Sequence, residues 1–480
     1  MRLNRFVVAP VIVLVVAGLV AGFLTGAFAS VARSGLYATG LLSDGGASTL
    51  PPGTLSRPST PTTSAPQPEP EPRGAPAAVL APATAGPAPS AKRLSAKVTA
   101  VDRSQVKGTF SGSVIDVGTG KTLYAKNASK AYIPASTMKV LTTTAALSIL
   151  GAQHQFSTTV VAEGKGRIIL VGGGDPYLVA SRSAADPDRA SLSRLAQLTA
   201  AQLKKAGHTK VSLGYDTSLF SGPSWHPDWP SNYRDQVTPI SALWVNEGRV
   251  RGSPGARVAN PPKVAADAFA AALRKRGIRV TGVESDVAKK GVAPLAAVKS
   301  LPLERIVERL LMVSDNDAAE IVAHQAAIGA GKEGSFAAAR QVVKSRLVKL
   351  GVWDDSARIR DGSGLSRKNL VPADLMARAL RVDLLPTHPE LRPVATGLPV
   401  AGVEGSLRVR YNLKDTDAAR GLVRGKTGTL TGVASVAGYV RSTDGSLLAY
   451  AFIANDATEY FATRVWFDRV TTVLSRCGCR

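Results

Sequence analysis

Three short groups of residues could do chemistry. Ser136-Thr137-Met138-Lys139 sets a hydroxyl and an amine three residues apart. On a helix, positions i and i+3 share a face, so the Lys139 amine can reach the Ser136 hydroxyl. Serine is a weak nucleophile until a base takes its proton. Pro134 before the pair and Gly151 after it predict a helix of about fifteen residues. A serine at its start also meets unpaired N–H groups and the positive end of the helix dipole. Taken alone, the pattern equally describes a capping serine followed by a solvated lysine.

The second group, Ser314-Asp315-Asn316, follows a helical stretch from Leu303 to Met312. Its hydroxyl and carboxamide can point the same way from a turn; by itself it reads as a helix-capping turn. The third, Lys426-Thr427-Gly428-Thr429, precedes an apolar strand from Val433. A cation, hydroxyls and a bare glycine on a sheet edge suit a peptide ending in a carboxylate. A phosphate loop is excluded there. Gly421 to Thr427 is one residue short of that motif and lies before a strand, not between strand and helix.

These groups must be positioned by a common framework. Phe110 to Val117 and Lys121 to Lys126 read as strands around the turn Asp116-Val117-Gly118-Thr119-Gly120. Val433 to Val440 and Leu447 to Ile453 read as two more, followed by an amphipathic helix from about Thr458 to Leu474. This order predicts one α/β domain closed by both ends of the chain, 95–154 with 301–480. The stretch 155–300 reads as a mixed α/β insertion, with a strand at Arg167 to Val171 and helices at Ala190 to Lys205 and Lys263 to Arg276.

Ser-x-x-Lys, Ser-Asp-Asn and Lys-Thr-Gly in this order are far more specific than any one of them. The set resembles the low-molecular-mass penicillin-binding proteins of the D-alanyl-D-alanine carboxypeptidase/endopeptidase type, class C. These carry a large insertion between the first two motifs, and here Ser136 and Ser314 are 178 positions apart. Leu170 to Pro176, Asp216 to Phe220 and Asp361 to Arg367 are similar to the family as well, without a catalytic role assigned to Asp361 or Ser363. The resemblance covers about 100–475. It implies a β-lactamase/transpeptidase-like sheet flanked by helices and acyl transfer on peptidoglycan stem peptides, with β-lactams as inhibitors. Carried over, Ser136 is the acylated nucleophile and Lys139 its base. Ser314 relays a proton to the leaving amine, and Asn316 holds the substrate amide. Lys426 polarises Ser314 and, with Thr427 and Thr429 around Gly428, holds the carboxylate. The N–H groups of Ser136 and Thr429 make the oxyanion hole. A second lysine nearby would help keep Lys139 neutral. A β-lactamase or esterase on the same fold, or a non-catalytic wall-binding protein, are the alternatives.

Other chemistries are thin. The five histidines (His154, His208, His226, His324, His388) form no zinc motif, and no G-x-S-x-G elbow occurs. His226, between Trp225 and Trp229, reads as a packed loop residue. No metal or organic cofactor is implied. Cys477 and Cys479 close the chain as tail thiols or as a tight bridge.

The chain carries +24, of which residues 1–94 contribute +4. The folded part therefore favours an anionic partner. Arg2 and Arg5 precede an uncharged run from Phe6 to Ala29, long enough as a helix to cross a bilayer. Residues 1–30 read as a cleaved signal, ending Ala27-Phe28-Ala29, or as an anchor. Either one puts the rest outside the cytoplasm, which disfavours nucleic acid and favours wall polymer or a membrane surface. Residues 31–94 read as a disordered tether; 51–90 hold twelve prolines and no aromatic residue.

Overall fold

The computed structural model describes residues 89–479, except 165, 184–185 and 251–254. The signal or anchor segment and nearly all of the tether expected for 31–94 lie outside the described residues. The first helix, α1 (Ala91–Thr99), begins inside that last range. Leu94 and Val98 are buried there, and Ser90 donates its N–H to the Cys479 carbonyl, 2.6 Å away. Cys477 and Cys479 are joined by a disulfide.

After α1 come strands β1 (Thr109–Asp116), β2 (Thr122–Lys126) and β3 (Ala131–Tyr132), then α2 (Met138–Leu150). The inserted stretch gives β4 (Ser157–Ala162), β5 (Arg167–Val171), α3 (Leu192–Lys205), β6 (Lys210–Asp216), α4 (Pro261–Arg274), β7 (Arg279–Ser285) and β8 (Pro294–Lys299). The chain then forms α5 (Leu303–Val313), α6 (Asn316–Gly329), α7 (Phe336–Lys349), β9 (Val371–Pro372), α8 (Ala373–Leu384) and α9 (Arg392–Thr396). It closes with β10 (Val423–Leu430), β11 (Val433–Arg441), β12 (Leu447–Asn455) and α10 (Tyr460–Ser475).

The first and last strands share one antiparallel sheet, in the order β10-β11-β12-β1-β2. Side chains alternate across a strand, and β12 uses both faces. Tyr450 and Phe452 pack with Leu94, Trp466 and Phe467 under α1 and α10. Ala449 and Ala451 face Met138, Leu141 and Met376 of α2 and α8. Small residues on that face let α8 pack close to the sheet, and α2 packs in turn on α8.

The second sheet, β7-β6-β5-β4-β8, draws every strand from the insertion. β5, β6 and β7 are parallel, and α3 and α4 provide the crossovers that parallel neighbours require. These helices bury Leu195, Ala265 and Phe269 against Val160, Ile168 and Leu170.

Candidate active site

Ser136 sits in a 3-10 turn, Ala135–Thr137, immediately before α2 rather than inside it. Ala135 has a φ of 47°, a conformation costly for a residue with a Cβ. It is held from both sides. Gly364, with φ +85°, leaves room for Ala135 where a Cβ would strike it. The Ser435 hydroxyl donates to the Pro134 carbonyl at 2.6 Å.

One turn on, Lys139 is 0% exposed. Its Nζ lies 3.0 Å from Ser136 Oγ and donates to Asn316 Oδ1 and the Ser363 carbonyl, both at 2.7 Å. Burial pushes its pKa down to about 8, against the pull of Asp361, Glu320, Asp315 and Asp317. Desolvation, and not the second lysine, is the chief reason that it can lose a proton.

Ser314 and Asn316 come from the α5–α6 junction. Ser314 caps α5 in the left-handed region (φ 60°), while the Asp315 carboxylate caps α6 by accepting the Ala318 N–H. The capping reading of Ser-Asp-Asn therefore holds for Asp315, while Ser314 and Asn316 line the cleft. Asn316 is committed at both ends: Oδ1 takes Lys139, and Nδ2 donates to the Gln236 carbonyl at 2.9 Å. Its amide orients the lysine, and its second N–H and second lone pair remain at the cleft, where the sequence reading has it hold the substrate amide.

Lys426, also 0% exposed, donates to Ser314 Oγ at 2.7 Å and to the Thr427 carbonyl at 2.8 Å. Burial, and then the charge of Lys139, hold its pKa well below the usual lysine value. Thr427 Oγ1 pairs with Ser406 Oγ at 2.7 Å, and Thr429 Oγ1 with the Tyr460 hydroxyl at 2.9 Å. Gly428 is a close-approach glycine. A Cβ there would lie 2.8 Å from the Pro134 carbonyl and 2.9 Å from the Ser136 nitrogen.

β10 is an edge strand. Gly425 donates its N–H to Pro399, outside the ladder with β11. The register runs unbroken from Val423 to Leu430. By strand alternation, Thr427 and Thr429 also turn their N–H and C=O groups away from β11, toward the open edge. The cleft beside it has a volume of about 530 Å³ and exposes Ser136, Ser314, Asn316, Thr427 and Thr429. All eight residues singled out from the sequence thus meet at one place.

The sequence missed the opposite wall, which includes Tyr233, Asp235 and Gln236 of the insertion. No motif marks them, and Gln236 acts through a backbone carbonyl. The role of Ser363 was equally invisible, for the same reason. His226 is packed as expected, edge-on to Phe336, with Nε2 3.1 Å from the Arg360 carbonyl.

A serine beside a buried amine, a second serine on a second buried lysine, and an edge strand lined with hydroxyls define an acyl-transferring serine hydrolase of the penicillin-recognising kind. The chain belongs to the D-Ala-D-Ala carboxypeptidase 3 (S13) family, which it matches over residues 94–254 and 252–475. It is 33% identical to carboxypeptidase DacB of Mycolicibacterium smegmatis over 402 residues, 82% of this chain and 86% of that one. It is 29% identical to the D-alanyl-D-alanine carboxypeptidase of Actinomadura sp. over 441 residues, 73% and 78% of the two chains. Its fold matches the crystal structure of penicillin binding protein 4 (dacB) from Haemophilus influenzae, with a TM-score of 0.66 and 24% identity, over 79% of this chain and 99% of that one. The chain is accordingly a serine-type D,D-peptidase that binds penicillin.

Proposed function

We propose that Ser136 is the acylated nucleophile and that Lys139, unprotonated, takes its proton. The observation that carries this reading is the buried Lys139 amine 3.0 Å from Ser136 Oγ, with a pKa near 8. Oγ attacks the carbonyl of the penultimate D-alanine. The N–H groups of Ser136 and Thr429 receive the oxyanion, each such donor contributing ~3–4 kcal/mol in the transition state. The C–N bond then breaks, and the leaving amine takes a proton through Ser314, which Lys426 holds. Water hydrolyses the ester and frees Ser136. The substrate strand lies along β10, its carboxylate against the hydroxyls of Thr427 and Thr429.

The substrates are peptidoglycan stem peptides that end in D-alanine, and cross-linked D,D peptides enter the same cleft. β-Lactams acylate Ser136. A β-lactam complex of the Haemophilus relative supports this. The reading extends to location: the apolar run from Phe6 to Ala29 and the excess positive charge of the folded part fit an exported enzyme working near an anionic wall or membrane surface.

Fluorescent penicillin tests the assignment. The wild type is expected to form a stable adduct and Ser136→Ala none, with the fold intact by circular dichroism. Label retained on another serine of folded Ser136→Ala would overturn it. Rapid release of the label by the wild type would favour a β-lactamase instead.

A further inference from the structure

Lys139 meets the turn Asp361-Gly362-Ser363-Gly364 through one backbone carbonyl, that of Ser363. That turn is braced internally by Asp361 and gripped by two helices, α2 and α6. Thr142 of α2 donates to the Gly362 carbonyl at 2.7 Å. Asp361 takes the Gly364 and Ser366 N–H groups, the Asn369 amide and Trp229 Nε1. From α6, Glu320 takes the remaining two donors: Ser363 N–H to Oε1 at 2.7 Å and Gly362 N–H to Oε2 at 3.0 Å. α6 comes near enough because small residues face the turn; a Cβ on Gly362 would lie 2.9 Å from Ala323 Cβ.

Glu320 is 1% exposed, with both its oxygens on backbone N–H groups. Ser363 thus stands between two buried ionisable groups, its N–H on Glu320 and its C=O on Lys139. A buried carboxylate is costly, and two backbone amides could be satisfied more cheaply by a neutral acceptor. The position on Lys139's own contact residue gives the charge a use.

We propose that Glu320 is a positioning residue for the acylation step: its ionised carboxylate holds the Ser363 carbonyl on Lys139 and supplies part of the negative field that sets where Lys139 loses its proton. The inference rests on Lys139 being the base. The charged groups facing Lys139 are Glu320 and Asp317 of α6, Asp315 at its cap, Asp361 of the turn and Lys426 of β10. Burial, and then the charge of Asp361, raise the Glu320 carboxyl, with its two N–H donors opposing them; both of its oxygens accept an N–H, the hydrogen bonding of the ionised form.

The sign follows from these charges. Ionised Glu320 favours the protonated amine, so its removal lets Lys139 become neutral at lower pH. The measurement is the pH dependence of the second-order rate of penicillin acylation, which falls on the acid side as Lys139 gains its proton. In Glu320→Gln the acid limb is expected about half to one pH unit lower than in wild type, and the high-pH plateau about five- to twentyfold lower, since the Gln amide cannot serve both N–H groups. A folded Glu320→Gln with a displaced plateau but an unmoved limb overturns the inference, because a merely structural prop would behave so. If Glu320→Gln does not fold, Glu320→Asp carries the test. It keeps the charge and shortens the reach, so the limb stays and the plateau drops; a wild-type plateau overturns the positioning role. A wild type without any acid limb would instead discredit Lys139 as the base.

Discussion

The two sheets differ in what they bury. Beneath α3 and α4 the second sheet packs aliphatic and aromatic side chains, from Val160 and Leu170 to Phe269 and Leu273. The first sheet and its helices enclose amines. Lys139 and Lys426 are the only fully buried lysines among the described residues. Desolvating an ammonium is strongly unfavourable, and it is tolerated by lowering the pKa and satisfying every N–H. Both have a lowered pKa; Lys139 sets its amine on three oxygens (hydroxyl, amide and backbone carbonyl) and Lys426 on two. The insertion is an apolar packed layer. The catalytic layer holds two buried amines on oxygen acceptors.

The insertion still reaches the cleft through one segment. Thr238 donates its N–H to Asp317 Oδ1 at 2.6 Å, and Arg257 pairs with Asp317 Oδ2 at 3.3 Å. Gln236, two residues before Thr238, accepts from Asn316. Asp317 is therefore one clasp between the two regions, one residue beyond a site residue. Burial, and then the charge of Asp315, push its carboxyl up to about 7.

The largest effect should come from the catalytic layer. Lys426→Ala removes the buried donor on Ser314, at ~1–3 kcal/mol, or roughly five- to hundredfold in kcat/KM. Its amine lies on Ser314 and is fully buried, so the loss should be equal for substrates with free and with amidated C-termini. A loss confined to free carboxylates would show that Lys426 reads the substrate and not the proton path.

A smaller effect is expected at the clasp. Asp317→Asn keeps the shape but weakens the hold on Thr238 and Arg257, at ~1–3 kcal/mol. Thermal unfolding should shift down, and KM for a stem peptide should rise several-fold, with kcat within about threefold. If kcat falls and KM does not, the insertion supports the chemistry rather than one wall of the cleft. The smallest effect is expected from removing residues 1–88, which should leave kcat/KM and melting temperature within error of the full chain. The cut must spare α1, since Leu94 and Val98 fill the core under α10.

The strands that frame the site were legible because their patterning is strong. Arg167 to Val171 has the expected limits, and β11 and β12 extend the expected strands by one and two residues. The nucleophile's helix was legible too, but its first turn is 3-10, since Ser136 is held by Ala135 in a left-handed conformation that no local pattern announces. The three motifs gave residue identities because the chemistry runs through their side chains. Ser363 and Gln236 act through carbonyls, which every residue possesses, so type and spacing could not mark them.

The sequence by itself determined the reactive groups, their order and the helix and strand that carry them, because side-chain chemistry and periodicity are local properties. Only the tertiary structure decided their protonation and their partners. Burial sets the Lys139 amine near 8, and packing turns Asn316 toward that lysine and Lys426 toward Ser314. These depend on solvent exclusion and on contacts between segments as far apart as Ser314 and Lys426, which a linear pattern does not contain.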